Sequence, residues 1–204
     1  MAHHNGPKAR INRRFGAQIY ENNGVIKAAG KRPQPPGMAR ARGRKSVYGE
    51  SLAEKQKIKY YYGISERQLR KLYATSKRQK GNTGDNLKVL CERRLDNVVR
   101  RAGFTRTRPQ ARQGIAHGHF LVNGCPTDVA SFLVRPGDIV TVRKNEKLQE
   151  MYKLTWADKG TPSELSWLLV DGENLSITVT SLPLPQDFTA PVDKIGLVIE
   201  FLAR

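Results

Sequence analysis

The sequence predicts an α+β protein with a basic extended N-terminal arm, a helical domain, and a domain in which two short helices pack on a small antiparallel β-sheet. Three observations predict this fold. Apolar residues recur at helical spacing between residues 51 and 102. Short apolar strands and Asn-Gly and Pro-Gly-Asp turns follow from residue 120. The first 48 residues are instead rich in Arg, Lys, Gly and Pro.

These patterns also predict the domain boundaries. We expect the arm (1–48) and the helical domain to fill residues 1–90, and the second domain to span 91–187, with a helix–turn–helix and hairpin motif at about 93–155. Residues 188–204 form a C-terminal segment. Its apolar residues alternate as in a β-strand (Ile195, Leu197, Ile199 and Phe201). The sequence leaves open whether this segment returns to the helical domain.

The charge of the chain is strongly and unevenly positive. Lys and Arg total 36 against 18 Asp and Glu, a net charge of +18. Residues 1–50 carry +9 and residues 51–100 carry +8, whereas residues 151–204 carry −3. This excess predicts a polyanionic partner, and we favour nucleic acid over a membrane because the basic segments lack a broad apolar face. The acidic C-terminal part is expected to be scaffold or protein contact.

Other classes of protein fit the sequence poorly. No run approaches the ~18 apolar residues of a transmembrane helix, and the basic N-terminus does not resemble a secretory signal. Cys91 and Cys125 are too few for a disulfide framework or a four-ligand zinc site. We therefore expect a protein of a reduced, cytosol-like compartment.

The arm has little apolar surface to bury, and its prolines resist helix formation. We expect residues 1–48 to be extended or disordered alone and to fold onto an RNA backbone through their arginines. The alternative is a flexible solubilising tail.

Residues 51–79 predict a helical hairpin with a basic outer face. Gly63 marks the end of the first helix, and Ser65 and Gln68 have the spacing of a capping box at the start of the second. Tyr61 and Tyr62 are expected in the core rather than as platforms for base stacking.

The next segment predicts a continuous helix from Leu87 to Ala102, followed by Gly103 as a cap. Thr107 and Gln110 have capping-box spacing and begin a second helix, on which Arg108 and Arg112 lie four residues apart. Arginines crowded at a rigid helix corner suit phosphate oxygens, which a guanidinium can bind bidentately.

Asp96 and the pair His117 and His119 are the residues nearest to a catalytic or metal site. Asp96 can be a catalytic acid, but one acid among many arginines is expected to bond Arg112 or Arg100 and fix the two helices. The histidines would need two more ligands to hold a metal, and no nucleophile stands beside them. We favour a helix corner that faces RNA, with Gly118 after the helix and Asn123-Gly124 as a hairpin turn.

The chain resembles the family of small-subunit ribosomal protein number four, the universal uS-four family. The resemblance rests on Arg94-Leu-Asp-Asn-Val-Val99, Arg112-Gln113, His117-Gly-His119 and Val122-Asn-Gly124, with Glu54-Lys-Gln-Lys57, Tyr62-Gly-Ile-Ser-Glu-Arg-Gln68 and Val198-Ile-Glu-Phe201. It runs from about residue 6 to the end of the chain.

The resemblance implies a structural protein of the cytoplasmic ribosome, with neither enzyme activity nor a cofactor. Members bind the 5′ domain of 16S rRNA, nucleate small-subunit assembly and contact ribosomal protein number five. They also help line the path by which mRNA enters, and so contribute to translational accuracy. Among these expected partners, 16S rRNA is the one that the basic segments of this chain support.

The chain departs from the family at two places. Many members hold zinc through N-terminal cysteines, but Ala9 and Asn12 stand at the matching positions and cannot supply thiolates. The first turn must instead be held by packing or by RNA. At the end of the chain, Leu202 stands where members often have a tyrosine.

The residues expected to contact RNA are Lys8, Arg10, Arg13, Arg14, Lys31, Arg32, Arg40, Arg42, Arg44, Lys45, Lys55, Lys57, Lys59, Arg67, Arg70, Arg94, Arg106, Arg108, Gln110, Arg112, His117 and His119. Structural roles are expected for Asp96, Gly118, Asn123 and Gly124. We expect no catalytic or metal-binding residue. Two rival functions stay open: an RNA-modifying enzyme, which would need a further catalytic domain, and a stress factor that binds stalled subunits.

Overall fold

The structure, a computed structural model, describes residues 4, 6–37, 46–159 and 166–203. The chain divides into a first unit, residues 1–87 with 189–204, and a second unit, residues 88–188. The helices are α1 (Lys8–Phe15), α2 (Asn23–Lys31), α3 (Val47–Tyr62), α4 (Glu66–Arg78), α5 (Thr83–Glu92), α6 (Leu95–Arg101), α7 (Arg108–Ala116), α8 (Glu146–Lys159) and α9 (Ile195–Ala203). The strands are β1 (Phe120–Val122), β2 (Cys125–Pro126), β3 (Ile139–Val142), β4 (Leu168–Asp171) and β5 (Ser176–Val179).

The predicted α+β class is confirmed, but the prediction of an arm without secondary structure is wrong for its described part. Helices α1 and α2 form within it. Helix α1 is held because Ile11 is buried at 7% exposure, and Ile19, which follows the helix, is buried at 2%. Phe15 at the end of α1 contacts Tyr60 of α3, with ring centroids 6.0 Å apart, and local composition does not reveal such a distant partner. Residues 38–45 lie outside the described residues.

Local signals in α3 and α4 act as the sequence predicts. Gly63 ends α3 in the left-handed conformation, with φ of 59°. Ser65 and Gln68 form the predicted capping box at the start of α4, in which each side chain accepts a hydrogen bond from the other's backbone N–H. Tyr61 and Tyr62 are buried, as predicted.

The C-terminal segment forms helix α9, so the predicted strand is wrong. Val198 and Leu202 lie four residues apart and are both buried, and α9 packs against α3 in the first unit. A segment with apolar residues at nearly every position satisfies both a period of two and a helical period. Its packing partner, which the pattern does not show, decides between them.

The second unit contains a five-stranded antiparallel sheet in the order β2-β1-β3-β5-β4. Helices α6 and α7 pack on the sheet through a continuous apolar core in which Val98, Ile115, Phe120, Val140 and Trp167 are all fully buried. The predicted two helices on a small sheet are therefore present, and the sheet is larger than the hairpin that the sequence revealed. No helix among the described residues has the length and apolar character needed to cross a lipid bilayer.

The hairpin turn between β1 and β2 is the one that the sequence predicts. Asn123 and Gly124 have φ of 51° and 80°, the two positive values that an Asn-Gly hairpin turn requires. Asn123 also has a role beyond the turn, because its side chain accepts a hydrogen bond from Ile139 N and donates one to Asp138. The turn is thereby attached to the start of β3.

The predicted continuous helix from Leu87 to Ala102 is broken at its centre. Helix α5 ends at Glu92 and α6 begins at Leu95, with Arg94 in an antiparallel bridge to Leu133. Backbone hydrogen bonds join Val134 N to Arg93 O and Leu95 N to Phe132 O, at 3.0 and 2.9 Å. Pairing with a segment forty residues away overrides the local helical periodicity.

Candidate nucleic-acid interface

The helix corner formed by α6 and α7 begins with a well-capped α7. Thr107 Oγ1 accepts a hydrogen bond from Gln110 N at 3.3 Å. Gln110 Oε1 accepts from Arg106 N at 2.9 Å rather than from Thr107 N, so the predicted capping box closes one residue earlier in the chain. These bonds fix the start of the helix that carries Arg108 and Arg112.

Two polar side chains of α6 hold the two arginines of α7. Arg108 Nε donates to Asn97 Oδ1 at 2.9 Å. Arg112 donates through Nε and Nη2 to Asp96 Oδ2, at 3.2 and 2.6 Å. Arg112, one of the two partners that the sequence predicts for Asp96, is in contact with it, and the carboxylate, 1% exposed, joins α6 to α7. Both guanidinium planes are therefore oriented by the protein itself.

Asp96 has a second partner, which removes one predicted RNA contact. Arg94 donates to the two oxygens of Asp96 at 3.1 and 2.8 Å and is 2% exposed. The break between α5 and α6 turns Arg94 inward, whereas a continuous helix would have placed it on the same face as Arg101. Arg94 is thus an interior residue, and the prediction that it contacts RNA is wrong for this fold.

Lys55 and Lys57 on α3 are likewise interior. They are 5% and 7% exposed, and their ammonium groups bind Glu66 and Glu54, each at 2.7 Å. Burial lowers the pKa of Lys57, but hydrogen bonds and charge from Glu54 and Asp193 outweigh it and raise the pKa overall. The two lysines stabilise the first unit and are not surface contacts for RNA, contrary to prediction.

Glu66 at the start of α4 collects several of the basic side chains. Burial raises its pKa, but the hydrogen bond and charge of Lys55 and the charges of Lys59 and Arg70 lower it overall. Lys59 is half-buried and lies 3.6 Å from Glu66. Arg67 and Arg70 are exposed on the outer side of α4. The RNA contacts predicted for Lys59, Arg67 and Arg70 stay predictions.

The histidine pair lies where α7 ends and β1 begins. Gly118 has φ of 70°, the left-handed conformation that the sequence predicts after this helix. His119 Nδ1 is hydrogen-bonded to the hydroxyl of Tyr152 at 2.9 Å, a partner that the sequence did not reveal. Burial, with a smaller effect from His117, lowers the pKa of His119 and so favours the neutral ring. His117 contacts Gln113 on α7.

Among the described residues, no cluster of three or more His, Cys, Asp or Glu side chains has the arrangement of a metal site. His117 and His119 lie with ring centroids 5.9 Å apart, and Tyr152, whose pKa burial raises to about 12, is the third side chain of the group. The phenol of Tyr152 and the imidazole of His119 therefore form a hydrogen-bonded structural pair. The RNA contacts predicted for the two histidines stay predictions.

The remaining RNA contacts predicted for the described part of the first unit lie either in one cleft or on the surface of α1. Arg10, Arg13, Lys31 and Arg32 line one cleft. Arg14 is exposed on α1, and the ammonium group of Lys8 lies 5.6 Å from the centroid of the Tyr20 ring. The structure does not describe Arg40, Arg42, Arg44 and Lys45. In the second unit, Arg106 is exposed and forms an ion pair with Asp158.

Sequence reasoning missed a second arginine pair in the second unit. Arg93 Nε donates to Val134 O at 2.9 Å, next to Arg135. Burial lowers the pKa of Arg93, and the nearby charge of Arg135 lowers it further. Arg93 and Arg135 are brought together by backbone hydrogen bonds between residues 93–95 and 132–134. No local sequence pattern predicts this long-range contact.

Asn12 explains how the first turn is held without a metal. Its Oδ1 accepts hydrogen bonds from Ile19 N and Tyr20 N at 3.2 and 3.0 Å, and its Nδ2 donates to Tyr20 O at 2.9 Å. Asn12 is 6% exposed. One amide side chain therefore closes the turn after α1 by three hydrogen bonds, together with the packing of Ile11.

The corner of two helices on an antiparallel sheet, with arginines fixed at the junction, defines the class of S4-domain proteins. Residues 93–140 match the family described as S4 domain, and residues 3–92 match the ribosomal protein S4/S9 N-terminal domain.

Curated relatives extend this match to the whole chain. It is 52% identical over 204 residues to the small ribosomal subunit protein uS4 of Rhodopirellula baltica, with complete coverage of both chains. The identity is 42% with the Treponema denticola protein of that name, over 97% of each chain, and 41% with that of Akkermansia muciniphila, over all of each. The chain belongs to the small ribosomal subunit protein uS4 family, and its relatives are ribosomal proteins rather than enzymes.

Proposed function

We propose that this protein is a primary binder of the 5′ domain of 16S rRNA and nucleates small-subunit assembly in the cytoplasm. The observation that carries the proposal is the helix corner, where Asn97 and Asp96 hold Arg108 and Arg112 by their guanidinium groups. A guanidinium whose plane is fixed in advance loses less side-chain entropy when a phosphate binds. The corner is thus suited to the backbone of a folded RNA, whose shape supplies specificity.

The proposal extends to the protein and mRNA contacts of the family. We assign ribosomal protein number five as a protein partner and mRNA, near its entry path, as a second RNA partner. Both contacts would contribute to translational accuracy. The charge distribution supports the protein contact, because residues 151–204 carry −3 and are poorly suited to bind RNA directly. This part of the chain is the better candidate for contact with a neighbouring basic protein.

A binding titration over a series of salt concentrations tests the proposed RNA. We expect the 5′ domain of 16S rRNA to bind about 100-fold tighter or more than an unrelated structured RNA of equal length at near-physiological salt. Both RNAs should show steep salt dependence, because released counterions contribute to binding of any RNA. Equal affinities for the two RNAs would mean a general RNA-binding module and would refute the assignment.

Arg108 is the variant that tests the helix corner. We expect Arg108→Ala to weaken binding of the 16S 5′ domain and to lower the slope of log K against log salt by about 0.7–0.9 for each lost phosphate contact. The matched control is Lys153→Ala, which removes one exposed positive charge from α8 in the same unit. If the two variants lower affinity and slope equally, net charge explains the effect and the corner is not the site.

A further inference from the structure

A cleft in the first unit brings together four positive side chains. Arg10 and Arg13 on α1 face Lys31 and Arg32 at the end of α2, and residues 33–37 complete the wall. The cleft has a volume of about 750 Å³, which lies within the range typical of small-ligand sites. None of the described residues that line it is acidic. Its size and charge suit a whole nucleotide with its phosphate.

The wall opposite α1 is a short segment that we call the proline strap, residues 33–37. It contains Pro33, Pro35 and Pro36, whose rings fix the backbone and offer no N–H donors. Arg13 Nη1 donates to Gln34 O at 3.4 Å and joins the strap to α1. The cleft therefore has cations on one side and rigid apolar rings on the other, which matches the phosphate and the ribose of a nucleotide.

Contacts within the first unit hold the walls of this cleft in place. Asn12 and Ile11 fix the position of α1, as described above. Arg13 also has a buried Nε with no hydrogen-bond acceptor among the described residues. An unsatisfied buried donor is destabilising, and a phosphate oxygen in the cleft is the kind of acceptor that this group lacks. Both observations indicate a preformed anion site.

We propose that the cleft is a preformed binding site for one RNA nucleotide, with the phosphate on the four cations and the ribose against the proline strap. The inference rests on the proposed function, which supplies the RNA. A free polyphosphate offers the same chemistry. An RNA strand is the better ligand because the exposed Arg14 and the half-buried Lys8 continue the positive charge along α1 beyond the cleft.

Protection of lysines from acetylation tests the site directly. Lys31 lines the cleft, whereas Lys27 lies one turn earlier on α2 and does not, and both side chains are exposed. With saturating 16S 5′ domain RNA, we expect acetylation of Lys31 to slow about tenfold or more and that of Lys27 less than about twofold, since bound phosphate shields only the contacting ammonium. Mass spectrometry measures both rates in one sample. Equal protection of the two lysines overturns the proposal.

A pair of double variants provides an independent test. R10Q/R32Q removes two cleft charges, and K27Q/K194Q removes two exposed charges elsewhere in the first unit. We expect the cleft variant to bind the RNA about tenfold or more weakly, with a salt slope lower by about 1.4–1.8. The control should change affinity by less than about threefold. Equal losses in the two variants contradict a specific cleft.

The outcomes separate this inference from the proposed function. If wild-type protein binds 16S and unrelated RNA alike but Lys31 is protected by either, the 16S assignment fails and the cleft stands as a general RNA site. If the 16S preference holds and Lys31 is not selectively protected, only the cleft fails. Protection of Lys31 by millimolar pyrophosphate alone, as complete as that by RNA, identifies a free-anion site and overturns the RNA nucleotide as ligand.

Discussion

Replacement of Asp96 by alanine is expected to destabilise the second unit by about 3–5 kcal/mol. The carboxylate is 1% exposed and binds both Arg94 and Arg112, so its loss leaves the buried Arg94 without its counter-charge. Removal of one partner of a buried ion pair has an effect of this size because the other charge stays desolvated. Urea unfolding followed by the fluorescence of Trp156 and Trp167, which both lie in this unit, measures its free energy of unfolding.

Arg112→Ala is the comparison that isolates the cause. Its side chain is 21% exposed, and its removal leaves Asp96 paired with Arg94. We therefore expect a loss of free energy well below that of Asp96→Ala. If Arg112→Ala is the more damaging change, the carboxylate is not the centre of the cluster.

Replacement of Asn12 by alanine is expected to raise the equilibrium population of the open turn after α1. The change removes all three hydrogen bonds of the amide, leaves the N–H group of Tyr20 without its acceptor and leaves that of Ile19 with Ala17 O alone. A loss of about 2 kcal/mol follows from the cost of unsatisfied buried donors. Hydrogen exchange of these two amide protons should accelerate about 30-fold.

Gln18→Ala is the matched control for Asn12→Ala. Gln18 is exposed in the same turn, so its truncation should leave the exchange of Ile19 and Tyr20 nearly unchanged. Unaltered exchange in Asn12→Ala would show that apolar packing alone closes the turn.

The sequence was informative wherever a short local rule decides the structure. Gly63, the Ser65 capping box and the Asn123-Gly124 turn depend on residues within three or four positions, and all three were predicted correctly. The link between Asp96 and Arg112 was one of two alternatives predicted, the other being Arg100, because a single acid beside an arginine cluster has few possible partners.

Most of the errors involve partners that are distant in the chain. The break at Arg94 depends on pairing with Leu133. Helix α9 depends on α3, and the burial of Lys57 depends partly on Asp193. Helical periodicity and charge are local quantities, so they cannot show which lysine faces inward or which apolar segment meets a partner. The network around Asn12 was missed for the same reason, since an asparagine gives no pattern of its own.

Helix α9 has a consequence for how the molecule is made. The second unit, residues 88–188, is one uninterrupted stretch within a first unit whose two parts are residues 1–87 and 189–204. During synthesis the second unit is complete while the first still lacks its last helix. Until Asp193 emerges, Lys57 has Glu54 as its one acidic partner among the residues that the structure describes, and the face of α3 that α9 covers stays exposed. The first unit therefore cannot complete its packing until the last residues are made. A chain truncated before α9 would have an incomplete first unit, although the missing residues are at the other end of the sequence.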